Sequence, residues 1–187
     1  MVGQLPACAG TEPQRTTVGR VTDTIAVQEL GRVIEFSIDD LMRYHGAGSP
    51  AGVANAFKVL QRAFALLSPT APPDRRSVVI RTAFQGPGAR DGIEAVTRAV
   101  TDGRYIVDRA LARPDLGRLR ESFVFEISIG DATTTLVIHD GFVTAEFIDL
   151  AQKDGRTADE ELRLDELKAQ LAQRVMSADA ADVYAIS

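Results

Sequence analysis

Residues 43–50, Arg-Tyr-His-Gly-Ala-Gly-Ser-Pro, are the stretch around which the fold is predicted to be organised. Serine is a preferred N-cap residue and proline is favoured at the first helical position, so Ser49 and Pro50 indicate the start of a helix. Apolar residues then recur at spacings of three and four, the period of a helix with one buried face. The sequence therefore predicts a helix over residues 50–67 with this apolar stripe: Val53, Phe57, Leu60, Phe64 and Leu67.

The loop before this helix carries groups that are useful for binding and chemistry. Tyr44 and His45 precede two glycines, which loosen the backbone. The N-terminus of the following helix presents free backbone N–H groups and the positive end of a dipole. We therefore predict that this loop forms one wall of a ligand pocket.

The composition is that of an ordinary globular protein and excludes several classes. Of 187 residues, 45% are hydrophobic and 25% are charged, so one domain can bury a sizeable core. The net charge of −5, without a basic face, argues against a DNA or RNA partner. A single cysteine, Cys8, excludes a disulfide scaffold and a cysteine-rich zinc site. Without a membrane-spanning apolar stretch or a recognisable signal peptide, we expect a cytoplasmic protein with no membrane partner.

The pattern as a whole predicts a single α+β domain over residues 17–187, after a disordered segment over residues 1–16. We expect a mixed or antiparallel sheet with helices packed on it. The clearest strands form a hairpin over residues 121–139, which turns at Gly130 and Asp131. Other strands are predicted over residues 18–27, 32–36, 77–84, 105–108 and 182–186, with an irregular connection or short helix over 109–120.

Capping signals place four more helices. Ser37 is predicted to cap a helix over residues 38–44, and Thr144 one that ends near Gln152. Asp91 with Glu94 resembles a capping box, so we expect a helix from Asp91 that stops at residues 102–103. A second capping box, Thr157 with Glu160, opens a long C-terminal helix whose buried row is Leu164, Leu167, Leu171 and Val175.

The order of these elements resembles the FmdE-like domain family, which takes its name from a component of formylmethanofuran dehydrogenase. In that family an aromatic-His-Gly loop of the form His-Gly-His-x-Cys-Pro-Gly opens a long helix, and residues 44–52 are Tyr-His-Gly-Ala-Gly-Ser-Pro-Ala-Gly. The family's next helix begins Cys-x-x-Asp-Ala-Ile-Gln, and residues 88–94 are Gly-Ala-Arg-Asp-Gly-Ile-Glu. The chain's end, residues 176–186, resembles the family's closing segment, so the likeness covers roughly residues 33–187. It implies an α+β domain that commonly dimerises, and hence a homodimer.

The departures from the family pattern concern its metal site. The resemblance implies metal binding through two histidines, a cysteine of the loop and a cysteine before the second helix. This chain retains His45 but has Ala47, Ser49 and Gly88 at the other positions. Zinc requires three or four nitrogen, sulfur or oxygen donors, so we expect no metal and no other cofactor. A metal held by His45 and unidentified partners remains an alternative.

His45 is the first candidate for catalysis, as a general acid/base, because an imidazole exchanges protons near neutral pH. The alternative is a loop histidine satisfied by a backbone carbonyl. Tyr44 is expected to assist or position, or to be a half-buried wall of the pocket. Ser49 and Asp91 are candidate substrate-binding residues, although both are also explained as helix caps, and Asp91 could instead orient His45.

Two arginines are candidates for holding negative charge. Arg81 interrupts an otherwise apolar strand, and a buried arginine needs an anionic partner, which is a structural carboxylate or a substrate carboxylate. Arg90 stands at a helix entry beside Gly86-Pro87-Gly88, where an anion could bind. Gln85, in the same loop, completes the predicted substrate-binding set.

Together these residues predict a metal-independent enzyme that acts on an anionic or carbonyl-containing metabolite. One base without a nucleophile constellation favours proton transfer, of the lyase, isomerase or cyclase type. Its pocket is expected between the loop of residues 44–49 and the loop of residues 85–91. The rival hypothesis is a non-catalytic ligand-binding or accessory protein with the same fold.

Overall fold

The computed structural model describes residues 23–187. The predicted disordered segment over residues 1–16, Cys8, and residues 18–22 of the first predicted strand lie outside the described residues. The strands from Thr24 onward form two sheets. A hairpin of β1 (Thr24–Glu29) and β2 (Arg32–Ser37) is the smaller one.

The larger sheet has five strands in the order β4-β3-β5-β6-β7. Strands β3 and β4 pair in parallel, whereas the other neighbours are antiparallel, so the sheet is mixed. Helices pack against it, and the predicted α+β architecture with a mixed sheet is thus confirmed. The strands are β3 (Val78–Thr82), β4 (Tyr105–Val107), β5 (Val124–Ile129), β6 (Ala132–Ile138) and β7 (Tyr184–Ile186).

Helix α2 (Pro50–Leu67) is the centre of the core and has the predicted bounds. It packs against α1 (Ile38–His45), α3 (Pro87–Thr97), α5 (Ala158–Ser177) and the large sheet. All of residues 51–60 are buried. The first half of the helix is therefore buried on every side, and not only along the predicted apolar stripe. A helix surrounded by other elements is buried on every side, and small residues let the neighbours approach.

The remaining helices are α4 (Ala145–Gln152) and the single turn α6 (Ala180–Val183). None of the helices formed by residues 23–187 combines the length and the apolar character that a membrane span requires. Residues 109–120 are an irregular connection with two short 3-10 turns, Arg109–Leu111 and Pro114–Leu116. The predicted strand over residues 182–186 is shorter than expected because α6 occupies its first part.

The local signals that the sequence carried most clearly agree with the structure. The hairpin turns at Gly130 and Asp131, with Ile129 opposite Ala132. Ser37 forms a capping box with Asp40 at the start of α1, and Thr144 caps α4. Thr157 and Glu160 form the predicted capping box of α5.

The predicted start of α3 at Asp91 is wrong. The helix begins at Pro87 after Gly86, so Asp91 lies inside it and caps nothing. Proline is well suited to the first helical position. The glycines on either side of Pro87 are typical of a loop, however, and so favour a later helix start. The helix also ends earlier than predicted, at Thr97, and the Glu94 carboxylate accepts hydrogen bonds from the backbone N–H groups of Val100 and Thr101.

Replacement of Thr157 by alanine is expected to destabilise the protein by about 1 kcal/mol, a typical loss for a helix N-cap. The Thr157 hydroxyl accepts a hydrogen bond from the Glu160 N–H at 3.3 Å, and alanine leaves this donor without its partner. Urea denaturation measures the change. Thr70→Ala, at an exposed loop position, is the matched control. Equal destabilisation by both substitutions would contradict the capping role.

Candidate functional site

A contact between His45 and Asp91 joins the two segments that the sequence singled out. His45 is the last residue of α1 and Asp91 lies in the second turn of α3. The Nδ1 atom of His45 lies 2.8 Å from the Oδ2 atom of Asp91, across 46 residues of sequence. The imidazole side chain is only 9% exposed and the Asp91 side chain 27% exposed. Asp91 therefore orients the histidine, which is the alternative to a capping role.

The contact with Asp91 determines which nitrogen of the neutral His45 ring carries the proton. A carboxylate accepts hydrogen bonds, so Nδ1 carries the proton in the neutral ring and Nε2 is left as the basic nitrogen. Within residues 23–187, Nε2 has no hydrogen-bond partner. The Nη1 atom of Arg90 lies 3.3 Å from the other Asp91 oxygen. The arrangement is a histidine–aspartate dyad with one nitrogen available for proton transfer.

Tyr105, on β4, lies within the electrostatic influence of this dyad. Burial raises the pKa of the Tyr105 phenol to about 12, while Arg90 lowers it and Asp91 raises it further. Its hydroxyl is buried without a hydrogen-bond partner among residues 23–187. The sequence did not single out Tyr105, because one tyrosine in a short strand gives no functional signal. The phenol is neutral throughout the physiological pH range.

Tyr44 does not form a half-buried wall as expected. Its side chain is an exposed apolar group, at 52% exposure, on the surface turn of α1 that precedes His45. Among residues 23–187, the Tyr44 hydroxyl makes no hydrogen bond to His45 or Asp91. The assisting role of Tyr44 remains a prediction.

A partly enclosed cavity among the described residues has a volume of about 360 Å³. It is bounded by the N-terminal turns of α2 and α3 and by helices α4 and α5. Of the predicted site residues, Ser49 and Gln85 line it, whereas Tyr44, His45, Arg81, Arg90 and Asp91 do not. Asp91 follows Gly88, a lining residue, by one helical turn, or about 5 Å along the axis.

The cavity wall is largely aromatic and aliphatic. Phe84, Phe123 and Phe147 contribute rings, and those of Phe84 and Phe123 lie 4.8 Å apart between centroids. Asn55, at 1% exposure, supplies a buried amide whose Oδ1 accepts a hydrogen bond from the Tyr184 hydroxyl at 2.5 Å. Lys168 is the single ionisable side chain among the lining residues. Sequence periodicity predicted that α4 and α5 bury a face, but not that this face meets the two loops.

Two helices begin at this cavity without side-chain caps. Ser49 occupies the N-cap position of α2 as predicted, but its hydroxyl makes no capping hydrogen bond. Gly86, the N-cap of α3, has no side chain to offer. Within residues 23–187, the N–H groups of Ala51, Gly52 and Gly88 donate to no acceptor. These amides remain available to a ligand.

Arg81 is not buried, contrary to the expectation. Its side chain is 41% exposed and pairs with Glu126 and Asp108, each at 2.6 Å. It lies on the face of the sheet opposite its buried neighbours Ile80 and Thr82. Both partners are structural carboxylates, the first of the two alternatives. Arg81 is not among the residues that line the cavity, and its substrate-binding role remains a prediction.

Substitution Arg81→Gln is expected to lower the melting temperature slightly at neutral pH and to have little effect at about pH 2. The Ala110 backbone N–H and then Arg81 hold the pKa of Asp108 below its usual value. A lowered folded-state pKa stabilises the protein above the unfolded-state pKa, and this stabilisation disappears as the pH falls through the folded value. Thermal unfolding at both pH values measures the difference. An equal effect at both would exclude the ion pairs as its cause.

The metal site of the resembling family does not fit the residues present. A Cβ atom at Gly88, where that family has a cysteine, would overlap the Ser49 carbonyl oxygen and lie 2.9 Å from the Ser49 Cβ. His45 is the one strong donor left in the set, and a single imidazole is too few for a zinc site. Residues 23–187 contain no cluster of three or more His, Cys, Asp or Glu side chains suited to a metal ion. The donor chemistry therefore gives no support to a shared metal at these positions.

The chain was also compared with known proteins. No family model matches its sequence, and a search of curated proteins found no match.

Proposed function

We propose that the protein is a small-molecule enzyme that transfers a proton on an anionic or carbonyl-containing metabolite, with His45 as general acid/base. The observation that carries this proposal is the 2.8 Å contact between His45 Nδ1 and Asp91. It holds a nearly buried imidazole in one tautomer and leaves Nε2 for the substrate. A structural histidine satisfied by a backbone carbonyl lacks this arrangement.

In the proposed step, the Nε2 atom of His45 takes a proton from a carbon next to a substrate carbonyl. The electron pair of the C–H bond moves into the carbonyl, which becomes an enolate. The imidazolium that forms donates its Nδ1–H to Asp91, and this carboxylate stabilises the new positive charge. Return of the same proton to another substrate atom completes an isomerisation, and its transfer to a leaving group completes an elimination.

Negative charge on the substrate is held by Arg90 in this proposal. Its guanidinium is 55% exposed and contacts Asp91 at 3.3 Å, which places it beside the base. The loop of residues 46–48 connects His45 to Ser49, a lining residue of the cavity, and a Cβ atom at Gly46 or Gly48 would contact nothing within 4 Å. Because side-chain packing does not fill the space beside these glycines, a substrate can lie along the loop with its reacting atom at Nε2.

We further propose that the chain is a divergent member of the FmdE-like domain family. The support is the sequence of residues 44–52 and 88–94, together with the meeting of these two segments at the start of α2 and α3. The proposal includes a cytoplasmic homodimer and the loss of the metal. Elemental analysis of the purified protein tests the last point, because stoichiometric zinc, iron or nickel would overturn it.

Deuterium incorporation tests the proposed chemistry directly. The purified protein is incubated in D₂O with a panel of 2-oxo and 3-oxo acids, and exchange next to the carbonyl is followed by proton NMR. Enzymatic exchange that depends on His45 is the expected result. Exchange that persists undiminished in His45→Ala would remove the dyad from the mechanism.

The rival function is a non-catalytic ligand-binding or accessory protein. The observation in its favour is that the lining of the cavity omits His45 and Asp91. A binder predicts that a ligand found by thermal-shift screening is retained chemically unchanged. It also predicts equal affinities of the wild type and His45→Ala, whereas an enzyme predicts conversion of the ligand by the wild type alone.

A further inference from the structure

We infer that the cavity between α2, α3, α4 and α5 is a binding site for a small monoanion with an apolar body, such as a medium-length carboxylate. The inference concerns binding and holds whether or not His45 transfers a proton. Four observations carry it: the enclosure of the cavity, its aromatic wall, the sign of its charges and its unused hydrogen-bond donors.

The size and wall of the cavity define the body of the ligand. Its volume of about 360 Å³ is at the small end of the roughly 300–1,000 Å³ typical of ligand pockets. The three phenylalanine rings line it together with Ile148 and Leu171, whose side chains are 6% and 1% exposed. An alkyl chain or one aromatic ring would replace water against this surface, and removal of apolar area from water favours binding.

The charges around the cavity define the polar end. Among the lining residues there is one cation, Lys168, and no aspartate or glutamate. The Nζ atom of Lys168 lies 2.9 Å from Asp165, and its side chain is 22% exposed. The cation is therefore partly neutralised but still adjoins the cavity. A cationic ligand would find no carboxylate in the wall, so the lining selects against it.

Unused donors reinforce this preference for a negative end. The N–H groups of Ala51, Gly52 and Gly88 belong to the first turns of two helices whose positive dipole ends meet here. The Nδ2 atom of Asn55 donates one hydrogen bond, to the Ala51 carbonyl at 2.7 Å, and an amide nitrogen has a second hydrogen to offer. The wall thus offers hydrogen-bond donors and a positive charge. A carboxylate can accept these hydrogen bonds and pair with the charge, whereas a neutral alcohol can only accept hydrogen bonds.

Isothermal titration with octanoate and with 1-octanol tests the inference. The two probes have the same alkyl body and differ in charge. We expect octanoate to bind at one site, at least about tenfold more tightly than 1-octanol. In ¹H–¹⁵N spectra, octanoate should shift the amide signals of Gly52 and Gly88. Equal affinities of the two probes would overturn the anion preference, and unshifted amides would place the ligand elsewhere.

Two variants with matched controls locate the site. Ala151 is an exposed lining residue, so Ala151→Phe should fill the cavity without disturbing the core and should abolish octanoate binding, unlike Ala158→Phe on an exposed position of α5. Lys168→Gln should weaken octanoate binding about 3- to 10-fold, whereas Lys153→Gln should not. Unchanged binding to Ala151→Phe would overturn the assignment. Because no turnover is measured, this result is separate from that of the deuterium exchange.

Discussion

Replacement of His45 by alanine is expected to slow deuterium exchange by about 10²- to 10⁴-fold, the usual contribution of a positioned general acid/base. The variant loses the Nε2 atom that takes the proton, and no other imidazole is available at the dyad. Asp91→Asn should also slow exchange, because an amide side chain can donate to Nδ1 and so favour the wrong tautomer. Initial rates per protein molecule at saturating substrate provide the measurement.

The chain provides a matched control for this experiment. His139 is its only other histidine, and it lies at an exposed turn after β6. His139→Ala should therefore leave the exchange rate unchanged. Circular dichroism and thermal unfolding of each variant separate a catalytic effect from unfolding. Equal rates in the His45 and His139 variants would contradict the proposed role of the dyad.

Tautomer assignment gives a second measurement that does not depend on knowing the substrate. With two histidines in the chain, long-range ¹H–¹⁵N spectra contain two imidazole patterns. His45 should be protonated at Nδ1 in its neutral form, and Asp91→Asn should change that pattern without affecting His139. A neutral His45 protonated at Nε2 would mean that the 2.8 Å contact does not fix the base as proposed.

The elements that the sequence predicted well are those specified by residues close together in the chain. Helix α2 needed only Ser49, Pro50 and a period of three to four, and the hairpin needed only an alternating pattern and Gly130-Asp131. The capping box of α5 is similarly local, because Thr157 and Glu160 satisfy each other's backbone N–H groups. Such signals do not depend on the tertiary fold, so they can be recognised from the sequence alone.

The site was harder to predict because its parts come from distant segments. Asp91 resembled a cap only because Gly86-Pro87-Gly88 resembled a loop, and the error moved the helix start by one turn. The same turn places the carboxylate against His45 rather than at a helix end. The cavity needs Phe147 and Lys168 from α4 and α5, and periodicity cannot say which buried faces meet. The prediction that Arg81 is buried failed for another reason. An arginine in an otherwise apolar strand can lie on the exposed face of the sheet and pair there with two carboxylates.

The close crossing of α2 and α3 is what allows the two segments to form one site. A Cβ atom at Gly52 would lie 2.8 Å from the Ala89 nitrogen, and one at Gly92 would lie 2.8 Å from the Ala56 Cβ. Glycine at these positions therefore sets the distance between the helices. The His45–Asp91 contact and the two uncapped N-termini both depend on that distance. A single methyl group at the crossing should affect the site and the stability together.

Gly88→Ala is accordingly expected to destabilise the protein by about 1–3 kcal/mol, the usual cost of overpacking a core. The new Cβ would overlap the Ser49 carbonyl oxygen and lie 3.0 Å from the Val53 nitrogen, and both are backbone atoms of the first turn of α2. Alanine is a better helix former than glycine by roughly 0.5–1 kcal/mol, which opposes the effect. The clash should prevail because backbone cannot yield without moving the helix.

Gly48→Ala is the matched control, since a Cβ atom at Gly48 would contact nothing within 4 Å. This substitution should change the free energy of unfolding by a few tenths of a kcal/mol at most, or stabilise slightly by restricting the unfolded chain. Urea denaturation of the two variants gives the comparison. Because the displaced helices carry Ala51, Gly52 and Asp91, Gly88→Ala should also weaken octanoate binding and deuterium exchange, whereas Gly48→Ala should spare octanoate binding. If Gly88→Ala were as stable as Gly48→Ala, the helices would not be held together by backbone contact at this glycine.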